Sequence, residues 1–327
     1  MTVGLVRRLA RRVRATLGTE GIASDLMGMD VKLAAVEQRL GAVEGKAGSA
    51  AEKLAAEVDR LAAATAELRD GQTRTLGVLR ALYEGTEQKR QDLAKLRVSK
   101  EYEGLFRARE PLVSVRIATY NNAQMLGERA LESVLRQTYE HYEVIVVGDG
   151  CDDDTEGLIK KLNSDKIRFY NLPERGRYPE DARARWMVAG TAPMNAGADL
   201  AQGAWIAPLD DDDEFTEDHI EVLLAGCLSS HAELSYGRFR WRSEGEEKVL
   251  GVYPPQLGNF GFQAAVYASV LRPLFRYDVN AWIFDEPGDW NLCRRMYEAG
   301  VRMQFVDRIV ATVFHYARAG RKAVGSG

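Results

Sequence analysis

The chain has 327 residues, of which 46% are hydrophobic and 28% are charged, with a formal net charge of −4. These values are those of an ordinary soluble protein, and so small a charge argues neither for nor against a polyanionic partner. The three cysteines, at positions 151, 227 and 293, are far apart and form no CxxC motif, which argues against a disulfide framework or a structural zinc site and fits a reducing cytoplasm.

Residues 1–20 are predicted to form a basic amphipathic helix. At 3.6 residues per turn, one face is apolar and the other carries five arginines. The apolar face consists of Leu5, Val6, Leu9, Val13 and Leu17. A helix over residues 1–17 can bind an anionic membrane surface or pack against protein, and the two interpretations stand level. No apolar run is long enough for a signal peptide or a membrane span, so we expect a cytoplasmic protein, either free or peripheral on the inner face of the membrane.

Residues 28–100 are predicted to form a helical coiled-coil segment, because residues 31–98 contain no proline and repeat apolar or small residues at alternating spacings of three and four. The spacing slips once, which is a stutter. The predicted seam consists of Leu33, Val36, Leu40, Val43, Ala47, Ala50, Leu54, Val58, Leu61, Thr65, Leu68, Leu79 and Leu82. Self-association into a homo-oligomer is favoured, and folding back on the neighbouring domain is the alternative.

From about Pro111 the pattern changes to short β-branched runs that alternate with helical patterns. Strands are expected at 112–119, 143–147, 166–170 and 205–209, and helices at 124–137, 155–162 and 195–201. This alternation predicts an α/β domain over residues 106–320, with a mainly parallel sheet and helices on both faces.

Four consecutive carboxylates, Asp210 to Asp213, follow directly after the apolar run 204–209. Like charges this close repel one another, whereas a divalent cation would neutralise them. Carboxylate oxygens are suitable ligands for Mg²⁺ or Mn²⁺, which also coordinate substrate phosphates. Open α/β sheets bind ligands at the carboxyl ends of their strands. The alternative is that these aspartates only cap a helix beginning near Glu214.

Two earlier polar turns, at 118–122 and 147–155, also follow predicted strands. Asp149 lies between two glycines, which let a backbone approach closely, so its carboxylate is suited to accept a hydrogen bond from a base or ribose. An ordinary Asp-Gly turn is an equally good interpretation of that dipeptide by itself.

The chain resembles the family-2 glycosyltransferases of the GT-A fold over about two-thirds of its length, but not over residues 1–105. The resemblance is carried by PLVSVRIATYN at 111–121, ALESVLRQTY at 130–139, EVIVVGD at 143–149, LDDDD at 209–213 and GDWNLCRRM at 288–296. It implies a Rossmann-like GT-A domain that uses a nucleotide-sugar, most simply a UDP-sugar, and inverts the anomeric centre.

The resemblance also implies roles for individual residues. The donor nucleotide would be bound by Thr119, Tyr120, Asn121, Asp149, Asp210 and Asp211. A divalent metal, Mn²⁺ or Mg²⁺, would be held by Asp212, Asp210 and His315. Asp213 and Asn195 would support the donor sugar, and Asp289 would be the general base.

This sequence departs from the family pattern at three positions. Gly148 stands where many relatives have an aspartate, which makes the nucleobase less certain. Met194 replaces a frequent arginine, so phosphate contacts are expected from arginines between residues 175 and 185. Gly288 replaces a glutamate and leaves Asp289 as the one carboxylate at that position.

The chemistry fits these residue types independently of the family. A positioned carboxylate can take the proton of a weakly nucleophilic acceptor hydroxyl, and a cation can stabilise the leaving diphosphate. The acceptor is unknown; Trp290, Trp282 and Arg238 are candidates to contact it, although all three also suit an ordinary core or strand. Two alternatives remain, an inactive sugar-nucleotide-binding module on a coiled-coil scaffold and a nucleotidyltransferase, and no nucleic-acid partner is expected.

Overall fold

The computed structural model describes residues 32, 34, 35 and 48–315. The chain divides into two units, and the boundary between them falls after Gly85. The second unit therefore begins at Thr86, earlier than the domain boundary expected near residue 106. The predicted basic helix over residues 1–20 lies outside the described residues.

Most of the described part of the first unit is one long helix, α1 (Gly48–Glu84), which ends where Gly85 adopts a φ of +61°. Leucines of the predicted seam are exposed along it, among them Leu68 at 64% and Leu82 at 60%. Self-association through these leucines stays a prediction. Over the described residues, no helix is both long and apolar enough to cross a membrane.

The second unit opens with two helices, α2 (Thr86–Leu96) and α3 (Lys100–Leu105). The Ser99 hydroxyl caps α3 by accepting from the backbone N–H of Tyr102. Leu93 and Leu105 are buried in the main hydrophobic core. These two helices are therefore part of the α/β unit, although their sequence continues the helical pattern of the segment before them.

The described strands form one sheet in the order β3-β2-β1-β4-β8-β6-β9-β5, with β7 paired to β6. The strands are β1 (Val113–Thr119), β2 (Tyr142–Gly148), β3 (Ile167–Asn171), β4 (Trp205–Asp210), β5 (Glu214–Phe215), β6 (Leu234–Ser243), β7 (Glu246–Leu250), β8 (Ala265–Ala268) and β9 (Met303–Phe314). The first four strands of the order are parallel, as predicted. From β8 onwards the sheet is mixed, with β8 antiparallel to β4 and β6, and β9 parallel to β6.

Helices flank this sheet. A helix that we call α4 consists of Ala123–Met125, a π-helical stretch Leu126–Leu131 and Glu132–Leu135; the others are α5 (Thr155–Leu162), α6 (Ala182–Val188), α7 (Thr191–Leu200), α8 (His219–Ser230) and α9 (Gly288–Glu298). Helix α7 packs against β1 and β2, while α8 packs against β9, β6 and β8. The interiors of β1, β2, β4 and β8 are buried, as their near-continuous apolar runs require, whereas β3 and β7 are partly or largely exposed. This is the α/β fold class expected from the sequence, a curled mixed sheet with flanking helices.

Candidate active site

The candidate site lies where the carboxyl ends of β1, β2 and β4 meet. Thr119 is in register with Gly148, and Ala118 with Asp210. The backbone N–H of Asp149 donates to the carbonyl of Thr119 at 2.8 Å. The polar turns that follow three separate strands are thus assembled at one edge of the sheet, as the parallel topology requires.

Asp149 is buried and both of its carboxylate oxygens are occupied by the chain itself. Oδ1 accepts from the backbone N–H of Gly176 at 2.8 Å, and Oδ2 accepts from the hydroxyl of Tyr178 at 2.7 Å. Burial, followed by this bond to Asp149, raises the pKa of Tyr178. The guanidinium of Arg175 lies 3.9 Å from the centre of the Tyr120 ring. The loop between β3 and α6 therefore contacts Asp149 and Tyr120, two of the residues expected to bind the donor nucleotide.

Gly150 allows this loop to approach. Its φ is +69°, and a Cβ there would lie 2.7 Å from the backbone nitrogen of Arg175. A side chain at position 150 would therefore strain the backbone and also push the loop away from Asp149.

Three other predicted nucleotide-binding residues, Thr119, Asn121 and Asp211, are held by polar partners. The Thr119 hydroxyl donates to Oδ2 of Asp211 at 2.7 Å, and the Asn122 amide donates to Oδ1 of the same residue at 2.9 Å. The side chain of Asn121 bonds to Asp152 through both its amide nitrogen and its oxygen. Asp211 and Thr119 thus form a preorganised pair beneath the site.

Burial and neighbouring carboxylates raise the pKa values of two aspartates of the acidic cluster. Burial and the charges of Asp289 and Asp212 raise the pKa of Asp210 to about 8, while Arg116 lowers it. Burial and Asp210 also raise the pKa of Asp213 well above its usual range, and Oδ1 of Asp213 accepts from the backbone N–H of Phe314 at 2.8 Å. Oδ2 of Asp210 accepts from the Gln263 amide at 2.8 Å.

The capping alternative for this cluster is wrong. The cluster is followed by β5, and the next helix, α8, begins only at His219. A set of clustered carboxylates with raised pKa values fits a hard divalent cation chemically, because the cation would remove the repulsion.

The structure does not assemble the expected three-residue metal set. No group of three or more His, Cys, Asp or Glu side chains in the described part of the chain is arranged to hold a metal ion. The imidazole of His315 is stacked on the Trp241 ring, with 5.6 Å between centroids, and its backbone N–H donates to the carbonyl of Arg242. The chemistry of the donor set therefore points to the aspartates, with Asp212 and Asp210 as the residues that would hold a cation.

Asp289 lies in the first turn of α9, but it does not cap that helix. Its Oδ1 accepts from the hydroxyl of Tyr277 at 2.9 Å, and its Oδ2 accepts from the backbone N–H of Phe262 at 3.3 Å. Burial raises the pKa of Asp289, and these two hydrogen bonds and the charge of Arg116 oppose that rise. The adjacent residues Phe262 and Gln263 donate to Asp289 and Asp210 respectively, which places the two carboxylates near each other. In agreement with this placement, Asp289 raises the pKa of Asp210.

The turn before α9 is fixed by a buried ion pair. The Arg294 guanidinium donates to both oxygens of Glu286 at 2.8 and 2.7 Å, and Asn291 donates to Oε2 at 2.8 Å. At Gly288, a Cβ would lie 3.3 Å from the carbonyl oxygen of Met187. A side chain at position 288 would therefore be in tight contact with the backbone of Met187.

Three further residues of the site were not predicted from the sequence. Tyr277 donates to Asp289, Arg116 donates to Tyr277, and Gln263 donates to Asp210. Asn195, expected to support the donor sugar, instead forms a reciprocal pair with the backbone of Tyr277, in which both hydrogen bonds are 3.0 Å. One signal was present in the sequence, because Arg116 interrupts the apolar run of β1 with a charge.

The acceptor candidates are scattered. Trp290 and Trp282 are half-buried, and Trp282 packs on a small hydrophobic cluster with Met187 and Val188. Arg238 forms an ion pair with Asp307. None of these contacts identifies an acceptor.

Comparisons with known proteins agree on one family. Residues 114–262 match the model of the family described as glycosyl transferase family 2. The chain is 36% identical to the putative colanic acid biosynthesis glycosyl transferase WcaA of Escherichia coli over 151 residues, which are 44% of this chain and 49% of that protein. It is 31% identical to a GalNAc(5)-diNAcBac-PP-undecaprenol beta-1,3-glucosyltransferase of Campylobacter jejuni over 122 residues, 37% of this chain and 33% of that protein.

Among solved structures, the S. aureus protein TarS in complex with UDP-GlcNAc aligns with 17% identity and a TM-score of 0.49, over 62% of this chain and 58% of that chain. The chain spans about half or less of the length of the first curated relatives that it matches.

Proposed function

Residues 114–262 are a glycosyl transferase family 2 domain, and from that premise we propose that the chain transfers a sugar from a nucleotide-sugar to an acceptor hydroxyl with inversion. The donor in this proposal is UDP-linked. The observation that carries the proposal is the position of Asp289. Its carboxylate is held by Tyr277 and Phe262 and faces the acidic cluster at the carboxyl ends of the parallel strands. Direct displacement at the anomeric carbon requires a base that can take the proton of the acceptor hydroxyl. In this proposal that base lies beside the sheet edge where the diphosphate binds.

In the proposed reaction, Asp289 accepts the proton of the acceptor hydroxyl as its oxygen attacks the anomeric carbon. The bond from that carbon to the diphosphate oxygen breaks, and the nucleoside diphosphate leaves with the electron pair. Attack from the face opposite the leaving group inverts the configuration, so no enzyme nucleophile is needed. The two hydrogen bonds to Asp289 stabilise its ionised form, which offsets the cost of burying the charge.

The proposal includes a divalent cation, Mn²⁺ or Mg²⁺, held by Asp212 and Asp210. A bound cation would neutralise charge on the leaving diphosphate. The raised pKa values of Asp210 and Asp211, to about 8 and about 6, support it, because they reflect burial and mutual repulsion that a cation would relieve. Asp149 and Tyr120 are proposed to meet the nucleobase, once the loop between β3 and α6 has moved.

The test is a screen of the purified protein with Mn²⁺ against a panel of nucleotide-sugars, following release of nucleoside diphosphate. We expect one donor to be used, and Asp289→Asn to lower turnover by roughly 10²-fold with unchanged donor affinity. Asp285→Asn is a matched control, because Asp285 lies on the same approach to α9 but is exposed and pairs with Arg183. Loss of donor affinity with intact turnover in Asp289→Asn would contradict the mechanism. Binding of a nucleotide-sugar without turnover would favour the inactive binding module.

A further inference from the structure

Arg116 is a buried cation in the centre of the sheet. It lies in the middle of β1, in register with Ile145 of β2 and Pro208 of β4, and it is 1% exposed. Its Nη2 donates to the hydroxyl of Tyr277 at 3.3 Å, whereas its Nε and Nη1 have no hydrogen-bond partner among the described residues. Burying a guanidinium without a contacting carboxylate costs free energy of folding. A functional role for Arg116 would account for its presence here.

The Tyr277 hydroxyl connects this cation to Asp289. A hydroxyl carries one proton, and here it donates that proton to Oδ1 of Asp289 at 2.9 Å while it accepts from Arg116. The positive charge therefore polarises the hydroxyl towards the carboxylate. Asp289 receives its second hydrogen bond from the backbone N–H of Phe262. Both oxygens are therefore hydrogen-bonded, which fixes the orientation of the carboxylate.

Helix α7 positions both Tyr277 and Arg116. Asn195 fixes the backbone of Tyr277 through its two reciprocal bonds. Two residues later, Gly197 leaves room for the Arg116 stem, because a Cβ there would lie 2.7 Å from Cγ and 3.2 Å from Cδ of that arginine. One helix thus accommodates the arginine and positions the tyrosine that links it to Asp289.

We propose that Arg116, acting through the hydroxyl of Tyr277, is a positioning residue that orients the Asp289 carboxylate and stabilises its negative charge. This inference rests on the proposed function, in which Asp289 is the base. Arg116 and Tyr277 exchange no proton and form no bond with substrate.

The kinetic test uses Tyr277→Phe, Arg116→Met and Arg116→Lys in the full chain. Tyr277→Phe removes one hydrogen bond to a charged group, and we expect kcat to fall about 10- to 100-fold while KM for the nucleotide-sugar stays within about twofold. Arg116→Met should lower kcat in the same way, and Arg116→Lys should recover part of it by restoring the charge. Tyr236→Phe is the matched control, because it removes a buried hydroxyl that donates to the Val252 carbonyl, away from Asp289. Thermal melts of all variants report folding.

A double-mutant cycle separates positioning from a purely structural role. If Arg116 and Tyr277 act through Asp289, neither Tyr277→Phe nor Arg116→Met lowers kcat further in an Asp289→Asn background. Additive losses there would overturn the inference.

Crystal structures of Tyr277→Phe and Arg116→Met give a readout that does not depend on activity. We expect the Asp289 carboxylate to turn away from its wild-type direction or to occupy more than one. An unchanged carboxylate in both variants would overturn the inference whether or not the enzyme is active. If the wild-type protein transfers no sugar from any donor, the proposed function fails, while these structures still decide whether Asp289 is positioned by Arg116.

Discussion

Each aspartate of the 210–213 run has its own surroundings, although the four are consecutive. Asp211 is bound by Thr119 and Asn122, and Asp213 by the backbone of Phe314. Asp210 has one amide partner and faces Asp289. The backbone carbonyl of Asp212 accepts from Arg129 at 3.1 Å, which fixes the main chain at the residue proposed as the principal cation ligand. Asp211 and Asp213 are therefore held by the protein itself, while Asp210 and Asp212 are the residues proposed to bind the cation.

We expect Asp212→Asn to abolish metal-dependent binding of a nucleoside diphosphate, because the change removes a charged oxygen ligand from a hard cation. Calorimetric titration with UDP, with and without Mn²⁺, measures the effect. Asp165→Asn, an exposed carboxylate beyond α5, should bind as the wild type does. Full activity of the wild type in EDTA, or undiminished binding by Asp212→Asn, would show the cation assignment to be wrong.

At the proposed nucleobase contact, the hydroxyl of Tyr178 donates to Oδ2 of Asp149. A base that bonds to the same side of this carboxylate would compete with that hydroxyl. Tyr178→Phe should therefore tighten UDP binding by about fivefold, the equivalent of one net hydrogen bond of about 1 kcal/mol. Asp149→Asn should weaken binding. Tyr170→Phe, on exposed β3, is the control. Weaker binding by Tyr178→Phe would mean that Tyr178 orients Asp149 instead of competing for it.

At the scale of elements, helices α2 and α3 are attached to the sheet by a buried carboxylate. Glu233, which is 0% exposed, accepts from Arg97 at 2.6 and 2.8 Å, from the Tyr102 hydroxyl at 2.6 Å and from the backbone of Arg302 at 2.6 Å. Burial raises the pKa of Glu233, but these hydrogen bonds outweigh it and leave the pKa below its usual value. A charge this well satisfied stabilises the attachment of both helices.

Glu233→Gln should lower the free energy of unfolding by about 3 kcal/mol, because it leaves the Arg97 guanidinium without its buried partner. Urea unfolding measures this. Since the folded pKa of Glu233 is lowered, its contribution is present above the unfolded pKa and is lost as pH falls through the folded pKa. The difference in unfolding free energy between wild type and variant should therefore shrink as pH falls below about 4.

Glu132→Gln is the control. It removes an exposed pair with Arg136 and should change the free energy of unfolding by less than about 1 kcal/mol. An equal loss in both variants would contradict the stabilising role proposed for Glu233.

At the scale of the whole molecule, α1 exposes leucines at the predicted coiled-coil spacing. A monomer would leave this apolar stripe in water, so we expect the full chain to be an oligomer, most simply a dimer. Leu61→Lys combined with Leu68→Lys should dissociate it, as measured by light scattering. Ala63→Lys lies on the opposite side of α1 and should leave the oligomer intact. A monomeric wild-type chain would contradict the prediction.

The proposed membrane contact is also a property of the whole chain. Five arginines and an apolar face within residues 1–17 give attraction to acidic headgroups and a surface to insert. One copy is short, so two copies presented by a coiled coil should bind more tightly. We expect the full chain to sediment with anionic liposomes at low salt and a chain lacking residues 1–17 not to do so. Equal sedimentation of the two, or sedimentation that does not depend on lipid charge, would leave only packing against protein.

The sequence by itself determined the α/β class, the parallel half of the sheet and the position of the acidic run after β4. These features depend on hydrophobic period and local chain direction, which neighbouring residues encode. Asp149 and Asp289 were also located from the sequence, although their roles came from the family resemblance.

Only the tertiary structure brought Arg116, Tyr277 and Asp289 together. Arg116 and Tyr277 are 161 positions apart, and no local pattern relates them. Their meeting depends on the order of the sheet, on α7 packing over β1 and on the close approach allowed by Gly197. The same holds for His315, which stacks on Trp241 because β9 runs beside β6. Contacts between distant segments are decided by the packing of the whole molecule, which no single stretch of the sequence encodes.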